Sequence, residues 1–484
     1  MTPSSMINWG VSAGYHDASI SVVKGKEILF AGHAERYSRV KNDKLLNSGL
    51  IRDALKWGEP DNIYWFENPV WKTTRRIFAG QNKWWTNPKD YFTMVGYEPP
   101  CKIKWGSHHK SHMAAGYYTS PFSESATLVI DAIGEWTTIS IWKNEKRVWD
   151  CSYPQSLGLF YSAMTDRVGL KPNEDEYILM GMAAYGDPDR FYKDMRETLL
   201  WHKVVGVGFH KGCRWWKPEL TEEDYFDVAA ATQKIYENVF EALLQKTQEL
   251  TKSGNLVFMG GCALNCLANR LIPKYFNEYW IMPNPGDAGS SLGAVLASTK
   301  QKVKFRSPFL GYNIKGEYPT DDILQELLLN GLVGVASGRA EFGPRALGNR
   351  SLLADPRGEY MKSRVNAIKQ RQEFRPFAPV IRQEDAANYF EVSEGFTSPY
   401  MQEVVVCRQP EEYPAIVHKD GTSRVQTVKR NEHEGLYNLL TKWKEETGCA
   451  MLLNTSLNIK GDPIVNGHHD AKEFESKYGV KVCC

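Results

Sequence analysis

Three short apolar runs, each breaking off at a turn of glycine or acidic residues, constrain this chain more than any other feature. In the first, Asn8–Val11 and Ala18–Val23 flank the polar tip Gly14-Tyr15-His16-Asp17, and Lys24-Gly25-Lys26 turns the chain before Ile28–Gly32. That pattern predicts a hairpin whose polar tip can approach a phosphate. The second run, Ala126–Ile130, stops at Asp131-Ala132-Ile133-Gly134-Glu135, and the third, Asn255–Met259, stops at Gly260-Gly261 and passes into a helix-like stretch. Strand-like runs alternating with helical periodicity predict a mixed α/β architecture. With 484 residues, 42% of them hydrophobic, the chain can build two or three globular domains with true cores. The pattern resets near residue 300, where Tyr318-Pro319-Thr320-Asp321 reads as a helix start and Leu332–Ala336 as a strand. A boundary near 318 is therefore expected, giving segments 1–318 and 319–484. Short-period repeats and low-complexity tracts are absent, which excludes solenoid and linker-dominated organisations.

A formal net charge of +2 exerts no global pull toward polyanions, so any such binding must come from local patches. No run approaches the length of a bilayer-spanning helix, and Met1–Gly10 lacks the pattern of a secretory signal. The expectation is a cytoplasmic protein without a membrane partner. Nine cysteines without a CxxC pair predict reduced thiols, with Cys262 and Cys266 packed rather than ligating.

Ser107-His108-His109-Lys110-Ser111-His112 opens a helix by pattern, and at about 3.6 residues per turn His108 and His112 share a face. The spacing suits two imidazoles on one metal and equally suits a polar helix face. Asp131 at a strand end and Asp287 in Pro283-Asn284-Pro285-Gly286-Asp287-Ala288-Gly289-Ser290 stand where carboxylates are presented to an ion, or where they cap turns and helices. Two nitrogen and two carboxylate ligands would suit iron(II), manganese or zinc. Gly260 and Gly261, directly after a strand, let backbone amides reach a phosphate.

Beyond residue 318, Arg339, Arg345, Arg350 and Arg357 punctuate a Gly- and Pro-containing loop system, followed by Lys369, Arg371 and Arg375. The planar guanidinium fork matches phosphate and carboxylate oxygens, so the cluster predicts a small, highly charged ligand such as an acyl phosphate or a triphosphate. Arg424 and the Asn454-Thr455-Ser456-Leu457-Asn458 run add a cation and hydroxyl and amide groups, either as part of that cradle or as turns.

The stretches YHDAS, HHKSHMAAGYYTS, DAIGE, MGMAAYGDP, GGCALN, PNPGDAGSSLGA, GRAEFGPRALGNRSLLADPR, IKQRQEFRPFAPV, RVQTV and NTSLNIKGDPIV resemble the O-carbamoyltransferase family of nodulation and antibiotic-tailoring enzymes over nearly the whole chain. The resemblance implies an actin-like ATPase-type N-terminal domain, akin to threonylcarbamoyl-transferring proteins, and a YrdC-like α/β C-terminal domain. It also implies a reaction sequence. Carbamoyl phosphate becomes carbamate, which condenses with ATP and Mg2+ to carbamoyladenylate and pyrophosphate, and the first domain then passes the carbamoyl group to an acceptor hydroxyl.

Carried over by motif, His108, His112, Asp131 and Asp287 become ligands of a divalent metal, iron(II) before manganese or zinc. His16 becomes the general base or orienting residue at the acceptor. Lys369, Arg375, Arg424 and Ser456, with Arg345 beside them, match positions that bind carbamoyl phosphate and ATP, and Lys369 and Arg375 also act in catalysis. Gly260, Gly261 and Asn265 would hold the adenylate. Ile178 departs from the family, standing where relatives often carry lysine. Dimerisation follows by analogy alone.

Relatives modify sugars, antibiotic scaffolds and, in some viral members, hydroxymethylated pyrimidines. Between residues 64 and 92 Trp65, Trp71, Trp84 and Trp85 interleave with Lys72, Arg75, Arg76, Lys83 and Lys89, and Lys211-Gly212-Cys213-Arg214-Trp215-Trp216-Lys217 repeats the theme. Aromatic faces among cations stack bases and track phosphates, although they also stack on sugars or fill cores. Trp84, Trp85, Trp215 and Trp216 are therefore candidates for binding an acceptor that is a hydroxymethyl pyrimidine of DNA or a nucleotide such as 5-hydroxymethylcytosine. A sugar or antibiotic hydroxyl is the alternative acceptor, and an actin-like nucleotide-dependent kinase the alternative activity.

Overall fold

The computed structural model describes residues 5–81, 87–200 and 209–484. The chain forms two compact units, Met1–Leu29 with Lys44–Phe305, and Phe30–Asp43 with Arg306–Cys484. Among the described residues no helix is long and apolar enough to cross a membrane. All nine cysteines are free thiols, as their scatter predicts.

The first unit is built on two five-stranded sheets. Its opening hairpin pairs β1 (Ile7–Ser12) antiparallel with β2 (Ser19–Lys24), and β3 (Glu27–His33), which belongs to this unit only as far as Leu29, flanks β2. On the other side, β4 (Asn62–Trp65) and then β5 (Ile103–Trp105) continue the sheet in parallel. The second sheet centres on β6 (Ala126–Ile130), with β7 (Thr137–Lys143) and β8 (Lys146–Ser152) antiparallel on one side. On its other side β9 (Asn255–Met259) and β10 (Glu278–Trp280) run parallel. Both sheets thus share one plan: a central strand with an antiparallel hairpin partner on one side and parallel strands on the other. β6 reads Ala-Thr-Leu-Val-Ile with every residue buried, as a strand covered on both faces must.

The helices of this unit that bear on the site are α1 (Pro69–Phe78), α2 (His108–Thr119), α3 (Leu157–Arg167), α4 (Tyr225–Thr251) and α5 (Ser290–Thr299). Helix α5 lies against α2 so closely that a Cβ on Gly293 would stand 1.8 Å from the Ser111 carbonyl oxygen. The bare glycine lets the backbones of two site-bearing helices meet.

The second unit contains α6 (Thr320–Asn330), α7 (Glu359–Lys369) and α8 (Glu434–Thr447) around a six-stranded sheet. Its strands are β11 (Leu332–Ala336), β12 (Arg350–Ala354), β13 (Ala378–Arg382), β14 (Gln426–Val428), β15 (Met451–Ser456) and β16 (Val482–Cys483). In space they run β14-β13-β15-β12-β11-β16. Both α6 and β11 begin where the sequence places them.

This unit corrects one inference from the arginine-rich loops. Arg350 is fully buried and donates to five carbonyls: Nε to Asn466 at 2.9 Å, Nη1 to Ser337 at 2.9 Å and Asn349 at 2.8 Å, and Nη2 to Tyr312 at 3.1 Å and Gly338 at 3.2 Å. Arg339 donates to the carbonyls of Gly311 and Leu310, Arg357 pairs with Asp355 at 2.7 Å, and Arg371 donates to the Arg375 and Pro376 carbonyls at 3.1 Å. These four hold loops together rather than waiting for a ligand. Arg350→Met is expected to cost about 3–5 kcal/mol of stability by orphaning buried acceptors, read as a lowered Tm. An unchanged Tm would refute the tie.

Candidate functional site

The site in the first unit begins with Glu135. Ser107, the residue before α2, makes no side-chain cap. Instead one carboxylate oxygen of Glu135 accepts the first helical N–H, His108 N, at 2.9 Å and also Asn68 N, just before α1, at 2.7 Å. An acidic group is favourable at both helix starts, and it ties the loop after β6 to the helix that carries the histidines.

His108, His112, Asp131 and Asp287 are all buried, and one ligand atom from each lies within 4.8 Å of the others. His108 Nε2 stands 3.0 Å from Asp131 Oδ2 and 3.1 Å from His112 Nε2, which in turn is 3.2 Å from Asp287 Oδ1. His112 Nδ1 lies 3.2 Å from the Pro285 carbonyl, which can only accept, so the ring proton belongs on Nδ1 and the Nε2 lone pair faces the cluster. His108 Nδ1 faces Glu67 Oε2 at 3.6 Å, which favours the same arrangement. Two imidazole lone pairs and two carboxylate oxygens converging on one small volume repel one another unless a proton or a metal ion lies among them. The residues therefore fit a divalent metal, with N2O2 chemistry suited to iron(II), manganese or zinc.

The charges agree with that preference. Burial opposes a proton on His108, but the Asp287 charge and the hydrogen bonds of Asp131, Asp287 and Glu67 raise it well above the ordinary imidazole range. Burial and Asp287 push Asp131 upward, yet His108 and His112 outweigh them and hold it at about 2.

His16 lies at the rim of the cluster, Nδ1 2.9 Å from Asp17 and Nε2 3.7 Å from Asp287 Oδ2. Burial disfavours its protonated form, but the Asp17 hydrogen bond and the charges of Asp17, Asp287 and Asp131 raise it to about 9. A cavity of about 470 Å³ opens from the cluster, reaching His108 and Asp287 and lined by Tyr15, Lys72, Arg75, Arg76, Leu159 and Lys211.

Gly260 adopts φ 93°, and a Cβ there would lie 2.1 Å from the Ile130 carbonyl oxygen, so this turn beside β6 requires glycine. Gly261 N is 3.5 Å from Asp131 Oδ1. The segment beyond this turn differs from expectation: Gly261–Leu264 is a 3-10 turn and Cys266–Asn269 a single helical turn, not a longer helix. The Asn265 side chain caps that turn at Ala268 N and exchanges two hydrogen bonds, of 3.0 and 3.1 Å, with Gln233 of α4.

In the second unit strand register gathers the expected anion-binding residues. Ala378 of β13 pairs with Asn454 of β15, Val380 with Gln426 of β14, and Ser351 of β12 with Ser456. Ser456 at the end of β15, Arg375 before β13 and Arg424 before β14 thus lie at one end of the sheet. The loop carrying Arg345 is tied to that end by Asn454, whose side-chain amide donates to the Ala346 carbonyl at 3.3 Å. Lys369 closes α7, with Nζ 2.5 Å from the Ser456 carbonyl, 3.1 Å from its Oγ and 2.8 Å from Asn458 Oδ1. None of these partners is anionic. Burial, then Arg371, Arg375 and Lys41, drive Lys369 well below the usual lysine range. Arg424 adds a buried Nε with no hydrogen-bond partner among the described residues. Such a cluster has the chemistry to stabilise an anion.

Trp215 is half exposed, but Trp216 is core: it is buried, donates its indole N–H to Asp194 at 2.7 Å and packs edge-on against Phe191. It offers no free face to an acceptor. Trp84 and Trp85 lie outside the described residues. Ile178 is buried within the helix Glu176–Met182. Sequence reasoning missed Glu67, which buttresses His108, and took Lys72, Arg75 and Arg76 for a surface track, whereas all three are buried along the cavity. Their spacing of three and four residues on one helix face was the available signal.

Residues 98–296 match the family profile described as Carbamoyltransferase N-terminus, and residues 324–484 the one described as Carbamoyltransferase C-terminus. An uncharacterized protein of Synechocystis sp. is 33% identical, covering 96% of this chain and 93% of its own. Nodulation protein NolO of Bradyrhizobium diazoefficiens is 32% identical over 75% of each chain. A 3'-hydroxymethylcephem-O-carbamoyltransferase of Amycolatopsis lactamdurans is 27% identical over 96% of this chain and 95% of its own.

Proposed function

Since the chain belongs to the carbamoyltransferase family and is a carbamoyltransferase enzyme, we propose that it moves the carbamoyl group of carbamoyl phosphate, through carbamoyladenylate made at the expense of ATP, onto an acceptor hydroxyl. The favoured acceptor is the hydroxymethyl group of a pyrimidine, in a nucleotide or in DNA. The segment 319–484, read as YrdC-like, performs activation, and the segment 1–318, read as actin-like, performs transfer. The observation that carries this reading is the quartet of His108, His112, Asp131 and Asp287 at the end of a cavity of substrate size.

In activation, carbamoyl phosphate loses phosphate to water, and a carbamate oxygen attacks the α-phosphorus of ATP as pyrophosphate leaves. Lys369 and Ser456, with Arg375 and Arg424, hold the phosphate oxygens, and Mg2+ accompanies ATP. The Lys369 ammonium meets only neutral oxygens of Ser456 and Asn458 among the described residues, so its charge is available where negative charge accumulates. In transfer, the acceptor oxygen bonds to the carbamoyl carbon, the carbon–oxygen bond to the adenylate phosphate breaks, and AMP departs with the electron pair.

His108, His112, Asp131 and Asp287 would hold a divalent metal, iron(II) favoured, whose Lewis acidity would polarise the carbamoyl group. Gly260 and Gly261 allow the adenylate to approach the backbone. His16 Nε2 receives or orients the acceptor's proton. Asp17 leads the groups that raise His16 to about 9, and the proposed ligands Asp287 and Asp131 follow, so a cation held by those two would offset their part of that pull.

Mass spectrometry of reactions containing ATP, carbamoyl phosphate, iron(II), Mg2+ and an acceptor tests the reading. The acceptors are hydroxymethylcytosine DNA, hydroxymethyl nucleotides and an aminoglycoside, each in its own reaction. A carbamoyl-sized gain on the pyrimidine together with AMP and pyrophosphate supports it. Release of ADP instead would refute the adenylate route, and a gain on the aminoglycoside alone would refute the acceptor.

A further inference from the structure

We propose that the acceptor carries a phosphate group, a phosphomonoester or phosphodiester, which seats against the inner face of α1 where Lys72, Arg75 and Arg76 line the cavity; this rests on the transfer reaction proposed above. Helix α1 is inverted relative to an ordinary amphipathic helix. Lys72, Arg75 and Arg76 are 7%, 6% and 9% exposed, whereas Val70, Trp71, Ile77 and Phe78 on the same helix are 48%, 58%, 70% and 68% exposed. Turning three cations inward sacrifices their hydration while the apolar side stays in water, an arrangement that needs a compensating anion.

The protein supplies only part of that anion. Lys72 pairs with Glu67, the carboxylate that also faces His108. Arg75 has neutral acceptors, the Glu135 carbonyl at 3.2 Å and Gln81 Oε1 at 2.9 Å. Arg76 donates no side-chain hydrogen bond to any described residue. Asp166 also lines the cavity, but Arg214 holds both of its oxygens at 2.8 and 2.9 Å, and Lys211 adds another positive charge to the wall. Two buried guanidinium groups therefore face the cavity without a carboxylate of their own, and the planar fork suits phosphate oxygens.

The adenylate is the competing source of phosphate. Its proposed seat at Gly260, Gly261 and Asn265 lies beside Asp131, and none of the three lines this cavity. The phosphate on the α1 side consequently belongs to the acceptor, and a nucleotide unit, free or within a strand, places a phosphate and a hydroxymethyl group on one molecule.

Initial rates of carbamoyl gain test this on the full chain with ATP, carbamoyl phosphate, Mg2+ and iron(II). The acceptors are 5-hydroxymethyldeoxycytidine, its 5′-monophosphate, and single- and double-stranded oligonucleotides bearing one hydroxymethylcytosine. The monophosphate or an oligonucleotide is expected to exceed the nucleoside about 100-fold in kcat/KM, and whichever is faster identifies the source of the phosphate. Arg76→Gln is expected to bring that ratio below about 10-fold, and Arg76→Lys, which keeps the charge without the fork, to leave an intermediate ratio. Equal wild-type rates on nucleoside and nucleotide, with AMP and pyrophosphate still released, would overturn the phosphate seat and leave carbamoyl transfer standing. The seat is likewise overturned if Arg76→Gln slows every acceptor by one factor, since the arginine would then serve the adenylate. Failure to release AMP and pyrophosphate in any arm would overturn the reaction itself, and the seat with it.

Discussion

His112→Ala is expected to lower carbamoyl transfer, and the AMP release that accompanies it, by about 1000-fold, roughly 4 kcal/mol of barrier, while formation of carbamoyladenylate and pyrophosphate continues. His112 is buried, its Nδ1 is held by the Pro285 carbonyl and by Ser290 Oγ, each at 3.2 Å, and its Nε2 meets Asp287 at the same distance. Removing the ring deletes one ligand and leaves Asp287 facing a gap, so iron bound per chain falls as well. Glu67→Gln provides the graded version. It leaves the four ligands in place but weakens the partner of His108 Nδ1, for an expected loss of about 10- to 100-fold in transfer or metal affinity. Elemental analysis and a thermal melt accompany both variants. A folded His112→Ala protein with full metal content and full transfer would remove the cluster from the mechanism.

Lys369→Met should do the reverse. Pyrophosphate release is expected to fall by about 100- to 1000-fold, because the variant replaces a buried cation, held only by neutral oxygens of Ser456 and Asn458, with an apolar chain of similar length. Transfer from supplied carbamoyladenylate should persist. The melt should hold or rise, since Lys369 is buried among the like charges of Arg371, Arg375 and Lys41. Unchanged pyrophosphate release would dissociate this end of the sheet from activation.

The reach of the forces involved decides which features are legible in the sequence. β6 and β9 begin and end where their apolar runs do, and α2 starts at His108, because those boundaries are set by local pattern and by glycine or acidic stops. That His108 and His112 share a face is helix geometry. That Asp131 and Asp287 meet them depends on the pairing of β6 with β9 and on α5 packing against α2, which local pattern does not encode. Residue type and position at turn ends made the two carboxylates candidates, with capping as the alternative, and the motif resemblance assigned the four as one ligand set.

The arginines of the second unit misled for the same reason. Arg350 looks like a loop cation in search of a ligand until Asn466 and Tyr312, distant in sequence, bring their carbonyls to it. Helix α1 shows a further limit. Its periodicity announces two faces, but which one turns inward depends on the cavity, and the rule that apolar faces are buried gives the wrong answer here.

The discontinuity of the second unit governs how the protein can be made. Its early segment, Phe30–Asp43, leaves the ribosome long before Arg306–Cys484 exists to receive it. Until then Arg39 lacks the carbonyls of Pro463 and Ile464 that it later binds at 2.9 and 2.8 Å, and the buried Arg36 lacks the Gly343 carbonyl that it later binds at 3.2 Å. The nascent chain thus carries an unfinished patch through synthesis of the entire first unit, a natural stage for chaperone engagement. A fragment cut at residue 306 would lack this segment, and co-expression of the two halves would have to return it in trans.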